Sequence, residues 1–276
     1  MEYNNQFGNT NGEYYRNNTQ EFRGEDGHDK LIEGLKKFVR ISEDEKEKKI
    51  FGIDVGTCIG KYLSNYNEVC KNKDLHVLAF EPNPVNIATL KTNEYYNFND
   101  YKLFTHCVSD EVKKTSFYNS ESYGDWNPSS NGGAGLTCGG TKICDVEVNT
   151  LSNVLKEEKD YIIKFIKIDV EGHDTRVIKG MGESLQHTKY MVFECSDCLY
   201  DHRGPGIPNP TQDIVEYLDE RGFDTYKIGT TKLLKMNGAH WDPVFDKINF
   251  HANCFAMKKE DNLIKELVDT NFNYIY

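Results

Sequence analysis

The sequence has no excess of positive charge. Its 33 lysines and arginines are outnumbered by 44 aspartates and glutamates, which gives a formal net charge of −11. Proteins that follow nucleic acid neutralise phosphates with clustered basic residues, but the most basic short stretch here, 46–49, is interleaved with and preceded by acids. The composition therefore argues against nucleic acid as the partner.

Long hydrophobic runs are also absent. No segment approaches the roughly 18 consecutive apolar residues that span a bilayer. The N-terminal residues lack the basic start and the apolar run of a secretory signal. We therefore expect a cytoplasmic protein with no membrane partner.

The eight cysteines follow no disulfide or zinc pattern. They are scattered through the chain, and several lie in apolar runs, as buried thiols do in a reducing compartment. Cys195 and Cys198 form a CxxC, but the spacing of Cys138 and Cys144, which would have to complete a zinc site, matches no common zinc module. We expect no bound zinc.

Residues 1–27 are rich in Asn, Gly, Gln and acids and poor in aliphatics, which predicts a flexible polar tail. Residues 28–276 are predicted to form one domain, which opens with apolar residues at helical spacing over 31–39. Seven apolar runs then alternate with helical segments, at 50–55, 76–80, 101–108, 165–170, 190–193, 225–228 and 254–257. This alternation predicts an α/β fold, with a seven-stranded, mostly parallel sheet and helices on both faces.

The stretch 119–141 interrupts the alternation with six glycines and no periodicity. Loops this long in a compact domain are usually functional or disordered. It is either a lid or substrate loop or a flexible insertion.

The end of the first strand has the character of a cofactor loop. Asp54, Gly56, Thr57 and Gly60 follow the apolar run and precede a helical segment, so backbone N–H groups can face a ligand. A dinucleotide fingerprint needs a second glycine where this chain has Cys58. The loop therefore favours a ligand without a pyrophosphate, such as S-adenosylmethionine, over NAD.

The next two strands also end in polar residues. Glu81, followed by Asn83, terminates the second strand, and an acid there can accept hydrogen bonds from ribose hydroxyls. NAD enzymes use the same device, so Glu81 does not discriminate by itself. Ser109 and Asp110 end the third strand, where an adenine ring would lie.

Taken in order, the segments "FGIDVGTCIGKY", "LAFEPNPVNIATLK", "CVSD", "IKFIKIDVEGHDTRVIKGM" and "MVFECS" resemble the FkbM family of S-adenosylmethionine-dependent methyltransferases. The resemblance covers roughly residues 50–258 and leaves 1–49 uncovered. It implies a Rossmann-like class I methyltransferase fold whose last strand is inserted antiparallel. It also implies O-methylation of a hydroxyl on a carbohydrate or another small-molecule acceptor.

The resemblance carries over by position. It implies donor binding by the loop after the first strand, by the acid after the second and by the turn after the third: Asp54, Gly56, Gly60, Glu81, Ser109 and Asp110. In the block after the fourth strand it matches Asp169, Glu171, Gly172 and His173. This chain departs from the family at Asp174, where Glu is more common, and in its longer glycine-rich loop.

Three of these residues are candidates for the chemistry. Methyl transfer to a hydroxyl needs a group that takes the hydroxyl proton. We take His173 as the first candidate, with a pKa raised by a neighbouring carboxylate, and Glu171 or Asp169 as the second. Asp169 could instead orient the donor's amine or the acceptor. The competing interpretation is that His173 and Asp174 merely cap the following helix.

Glu194 and Asp197 follow the fifth strand and, with Asp169 and Glu171, could hold Mg²⁺ or Mn²⁺. The acids could equally complement a sulfonium, and we do not favour a metal. Two other functions remain open: a nicotinamide-dependent oxidoreductase, and a catalytically silent module of the same fold.

Overall fold

The structure is a computed structural model that describes residues 10–23, 26–70, 75–92, 101–119, 134–136, 140–195, 211–247, 252–270 and 273–275. Within those ranges the α-helices are α1 (Thr10–Asn17), α2 (Asp26–Phe38), α3 (Leu63–Cys70), α4 (Pro84–Thr92), α5 (Leu151–Val154), α6 (Asp174–Lys179), α7 (Thr211–Asp219), α8 (Val244–Lys247) and α9 (Leu263–Thr270). The strands are β1 (Lys49–Val55), β2 (Leu75–Phe80), β3 (Tyr101–Phe104), β4 (Cys107–Val108), β5 (Lys113–Asn119), β6 (Ala134–Gly135), β7 (Lys142–Asn149), β8 (Tyr161–Ile168), β9 (Thr188–Glu194), β10 (Phe223–Ile228), β11 (Lys232–Lys235), β12 (Asn253–Lys258) and β13 (Asn273–Ile275). No helix of these ranges is long and apolar enough to cross a membrane.

The main sheet has the order β13-β11-β10-β12-β9-β8-β1-β2-β3. Strands β3, β2, β1, β8 and β9 run parallel, whereas β12 lies antiparallel between β9 and β10. The predicted Rossmann-like sheet is therefore confirmed, with β12 as the inserted antiparallel strand, but it has nine strands rather than the predicted seven. Two strands that the sequence did not predict, β11 and β13, extend one edge.

Helices cover both faces of the main sheet. Residues of α2, α3 and α9 pack on one face in one apolar cluster, and residues of α5, α6, α7 and α8 pack on the other face in a second cluster. All eight residues of β8 are buried, as expected for a central strand covered on both sides.

A second sheet, of order β4-β7-β5-β6, follows directly after β3. The predicted strand 101–108 is thus divided between the two sheets. Cys107, Phe117, Val146 and Val148 form its small core. Of the glycine-rich stretch 119–141, the structure describes 119, 134–136 and 140–141, so the predicted lid falls mostly outside the described residues.

The N-terminal stretch 10–23 differs from the expected flexible tail. It forms α1 and a 3₁₀ turn (Thr19–Phe22), and Tyr15 and Phe22 are each only 1% exposed. The Tyr15 ring lies 5.1 Å from the ring of Phe22 and 5.2 Å from that of Phe245 on α8. Two aromatic anchors order a stretch whose composition alone would not.

Candidate active site

The chain turns sharply where β1 ends. Gly56 has a φ of +83°, and its N–H and that of Thr57 both donate to the Phe80 carbonyl oxygen, at 3.0 and 3.1 Å. A Cβ on Gly56 would lie 1.8 Å from the carbonyl oxygen of Asp169. Only glycine therefore lets the loops after β1 and β8 come this close.

Glu81, at the tip of β2, is 4% exposed. Its carboxylate accepts the backbone N–H groups of Cys58 and Asn83, each at 2.8 Å, and a bond from the Asn86 side chain. Burial raises the pKa of Glu81 to about 7, although these donors oppose the rise. Because a carboxylate has about four acceptor sites, Glu81 retains capacity for a ligand hydroxyl.

Cys58 occupies the position of the missing glycine and adopts the left-handed conformation that glycine favours, with a φ of +52°. Burial, followed by the charge of Glu81, raises the pKa of its thiol to about 12. The thiol is therefore protonated at neutral pH and forms a small wall beside Glu81.

A pocket of about 530 Å³, counted out to its solvent-open mouth, lies over the carboxyl ends of β1, β2 and β8. The apolar part of the lining comes from β2, from the second sheet and from the residue that follows β6: Phe80, Cys107, Val108, Phe117 and Leu136. The polar part includes Glu81, Asp169, Glu171 and His173.

Asp169 faces this pocket with a side chain that is 35% exposed. Its Oδ2 lies 3.0 Å from the Nζ of Lys167, a lysine of β8 whose side chain is only 4% exposed. Sequence reasoning missed Lys167. The available signal was its place among the apolar residues of a strand, since a buried ammonium requires a partner.

Glu171 lies in a strained loop at the pocket mouth. Glu171 and Gly172 have φ values of +58° and +85°, so two consecutive residues are left-handed. This conformation is uncommon for a residue with a side chain, and such strain is concentrated at functional sites. The half-buried Glu171 lines the pocket.

His173 is 4% exposed, and its Nε2 lies 2.8 Å from the Ser109 Oγ. The expectation of a raised pKa is wrong, because burial, followed by the charge of Arg176, lowers the pKa of His173 to about 4. Asp110 opposes this shift, but its carboxylate is paired with Arg176, whose Nε lies 3.1 Å from Oδ1. His173 makes no side-chain cap bond to α6.

Asp54, Thr57 and Gly60 lie beside the pocket without lining it. Thr57 donates its hydroxyl to the Asp54 carbonyl oxygen at 3.0 Å, and Gly60, with a φ of +92°, packs against Leu90. Asp54 is 0% exposed, and neither of its carboxylate oxygens has a hydrogen-bond partner among the described residues. Burial, opposed by the charge of Lys167, raises the pKa of Asp54 to about 6.

The remaining predicted donor residues also stand behind the lining. Asn83 accepts the Val85 N–H at 3.0 Å and so starts α4, whereas Ser109 contacts His173 and Asp110 pairs with Arg176. The apolar wall formed by Val108, Phe117 and Leu136 is the part of the pocket that could take a flat adenine ring. Its contribution from the second sheet was not predicted.

The other residues considered from the sequence do not extend the site. Glu194 is 2% exposed and does not line the pocket. The structure describes no group of three or more His, Cys, Asp or Glu side chains that could hold a metal within the ranges given above. Asp197, Cys198 and Cys138 lie outside those ranges.

A family model, the methyltransferase FkbM domain, matches residues 54–225. The match covers more than half of the chain and includes the turn after β1, the polar lining and the second sheet. The chain belongs to the FkbM methyltransferase family. It is therefore an S-adenosylmethionine-dependent methyltransferase, and the nicotinamide alternative is not supported.

This FkbM methyltransferase is similar to several known proteins. It is 28% identical over 202 residues to the hexuronic acid methyltransferase AglP of Haloferax volcanii, covering 70% of this chain and 72% of that protein. The FkbM methyltransferase structure from Methylobacillus flagellatus aligns with a TM-score of 0.42 and 15% identity, over 79% of this chain. The alignment spans only 44% of that protein. A human methyltransferase 10 domain containing protein aligns with a TM-score of 0.39 and 12% identity, over 84% of this chain and 81% of its own.

The residues of the pocket fit S-adenosylmethionine. The Gly56 turn leaves no side chain between the two loops, Glu81 can accept a ribose hydroxyl, and the apolar wall suits adenine. The carboxylates of Asp169 and Glu171 give the rest of the pocket a negative charge, which attracts the positive sulfonium and ammonium groups of the donor.

Proposed function

We propose that this FkbM methyltransferase transfers a methyl group from S-adenosylmethionine to a hydroxyl of a carbohydrate or another small-molecule acceptor. The observation that carries the proposal is the acidic rim formed by Asp169 and Glu171 at the mouth of the donor pocket. A hydroxyl is a poor nucleophile until its proton is removed, and a carboxylate at this position can accept that proton.

The acceptor class is supported by the relative from Haloferax volcanii, whose name states that it methylates a hexuronic acid. The acidic rim also disfavours an acceptor that arrives with a large negative charge of its own. A neutral or singly charged sugar hydroxyl is the acceptor most compatible with both observations.

The bound donor would supply an electrophilic methyl group. The chain's residues would then position the reactants: Glu81 holds a ribose hydroxyl, the apolar wall holds adenine, and Asp169 orients the donor's amine or the acceptor. In-line displacement places strict demands on this alignment, and positioning is a large part of such catalysis.

We propose Glu171 as the residue that takes the acceptor proton. His173 is less suited than the sequence indicated, because its Nε2 is engaged by Ser109 and its pKa is lowered to about 4. Asp169 is held by Lys167 at 3.0 Å, which suits a positioning role. His173 would then fix the Ser109 turn and support the loop that carries Glu171.

A labelled-methyl assay tests the proposal. The purified protein is incubated with methyl-labelled S-adenosylmethionine and a panel of monosaccharides, hexuronic acids, nucleotide sugars and glycans, with EDTA or with added Mg²⁺ or Mn²⁺. We expect transfer in EDTA to at least one hydroxyl acceptor, as a methyl ether that resists mild alkali.

An alkali-labile product would indicate a methyl ester on a carboxylate and contradict hydroxyl transfer. Strict dependence on added metal would contradict a metal-free base. Binding of S-adenosylhomocysteine without transfer to any panel member would favour the catalytically silent module.

A further inference from the structure

Three charged residues lie in sequence from the core to the acidic rim, and Asp169 of the rim is the outermost of them. Asp54 and Lys167 are register partners on the neighbouring strands β1 and β8, and Asp169 follows Lys167 by two residues. Asp54 is 0% exposed, Lys167 is 4% exposed, and only Asp169 reaches the pocket lining. The three residues therefore form a row that runs from the core to the lining of the pocket.

Lys167 is fixed on two sides. Its Nζ lies 3.0 Å from the Asp169 Oδ2 and 4.7 Å from the centroid of the Tyr62 ring. Tyr62 in turn stacks on His28 of α2, with ring centroids 4.8 Å apart and planes inclined by 27°. An ammonium held between a carboxylate and an aromatic face has little freedom to turn away. The support from His28 comes from outside the family match, 54–225.

The row carries an excess of negative charge. Two carboxylates face one ammonium, and the oxygens of Asp54 have no hydrogen-bond partner among the described residues. Removing a charge from water without a partner is costly, so a positive group entering from the pocket side would be favoured. Only Asp169 is placed to receive it, because it alone lines the pocket.

We propose that Lys167 is a positioning residue that holds the Asp169 carboxylate toward the pocket, where Asp169 receives the α-ammonium of the donor's amino-acid tail. The proposal rests on the proposed binding of S-adenosylmethionine in this pocket. It adds that Asp169 is the residue that receives the donor's α-ammonium. Lys167 acts through Asp169 and does not itself touch the donor.

Two ligands separate the tail from the rest of the donor. S-adenosylhomocysteine carries the amino-acid tail, whereas 5′-methylthioadenosine shares the thioadenosine part and lacks the α-ammonium and carboxylate. Isothermal titration calorimetry of both ligands with the wild-type protein and with Lys167→Met isolates the contribution of the tail. We expect Lys167→Met to weaken S-adenosylhomocysteine at least tenfold and methylthioadenosine less than twofold.

Lys164→Met is the matched control. Lys164 lies in the same strand, is 3% exposed and pairs with Glu45 at 2.7 Å, but it lies away from the pocket. We expect this variant to lose stability while it binds both ligands as the wild type does. Equal weakening of both ligands by Lys167→Met, or no weakening of either, would overturn the proposal.

If Lys167→Met does not fold, Tyr62→Leu and Tyr62→Phe provide the test, because Tyr62 is only half-buried. Phe keeps the ring beneath Lys167 and Leu removes it. We expect Tyr62→Leu alone to weaken S-adenosylhomocysteine several-fold without affecting methylthioadenosine, and unchanged binding would refute the positioning role. Failure of the wild type to bind either ligand would refute the proposed function itself.

Discussion

Glu171 and His173 are two residues apart and both line the pocket, but their burial and their contacts differ. Glu171 is half-buried at the mouth in a left-handed conformation, whereas His173 is 4% exposed and bonded to Ser109. The left-handed turn at Glu171 and Gly172 therefore separates a group that can meet an acceptor from a group that supports the loop.

We predict that Glu171→Gln lowers methyl transfer at least about 100-fold, since a positioned general base typically contributes 10²–10⁴-fold. Its affinity for S-adenosylhomocysteine should change less than twofold, because the amide preserves the shape of the loop. Radiolabel transfer at saturating donor and calorimetric titration measure the two quantities.

His173→Gln is the comparison for this prediction. We expect a smaller loss of turnover, because the amide can still bond to Ser109. Normal turnover in Glu171→Gln together with a large loss in His173→Gln would restore the histidine as the base.

The residues of the site were predictable to different degrees. Gly56, Glu81 and Asp169 follow from the rule that polar residues at the carboxyl ends of parallel strands face one crevice. Lys167 was not predicted, because a lysine in an apolar run is equally compatible with a strand end that reaches solvent. The pKa of His173 is lowered by burial and then by the charge of Arg176, which also pairs with Asp110 in a contact across 66 residues that no local pattern reveals.

At the scale of elements, the central strands were predictable because continuous apolar runs of five to eight residues are typical of buried parallel strands. The second sheet was missed because its strands alternate exposed and buried residues and lie beside a glycine-rich stretch. In β7, for example, only Val146 and Val148 are buried, so no apolar run marks the strand. The missed sheet supplies Phe117 to the lining of the pocket.

Helix α1 provides a test of the N-terminal segment. It packs Tyr15 against Phe22 and Phe245, and the neighbouring Glu21 accepts the Thr230 hydroxyl at 2.8 Å. We predict that Tyr15→Ala lowers the free energy of unfolding by about 3 kcal/mol, as expected for truncation of a large buried aromatic side chain. Urea titration measures this loss.

Glu13→Ala, an exposed substitution on the same helix, is the control and should change the free energy of unfolding by less than about 0.5 kcal/mol. Similar stability of the two variants would contradict the packing of α1 and support the flexible tail that composition predicted.

At the scale of the whole molecule, the buried site ties folding to pH. Burial raises the pKa of Asp54 from 3.8 to about 6 and that of Glu81 from 4.5 to about 7, so the folded state binds protons that the unfolded state has lost. These two groups therefore make the protein less stable as pH rises from about 4 to 7. His173 acts in the opposite direction, because its pKa falls from 6.5 to about 4, but one imidazole opposes two carboxyls.

The same groups predict how donor binding depends on pH. A ribose hydroxyl that donates to Glu81 favours the ionised carboxylate, so binding of S-adenosylhomocysteine should release protons below a pH of about 7. We expect its dissociation constant to fall as pH rises from 6 to 7 and to level off above that. Calorimetry at pH 6.5 in two buffers of different ionisation enthalpy measures the released protons directly.

In Glu81→Gln, affinity should be lower and its dependence on pH flatter, since the titrating group is gone. An affinity that is independent of pH in the wild type, or an unchanged dependence in Glu81→Gln, would show that this carboxylate does not hold the ribose.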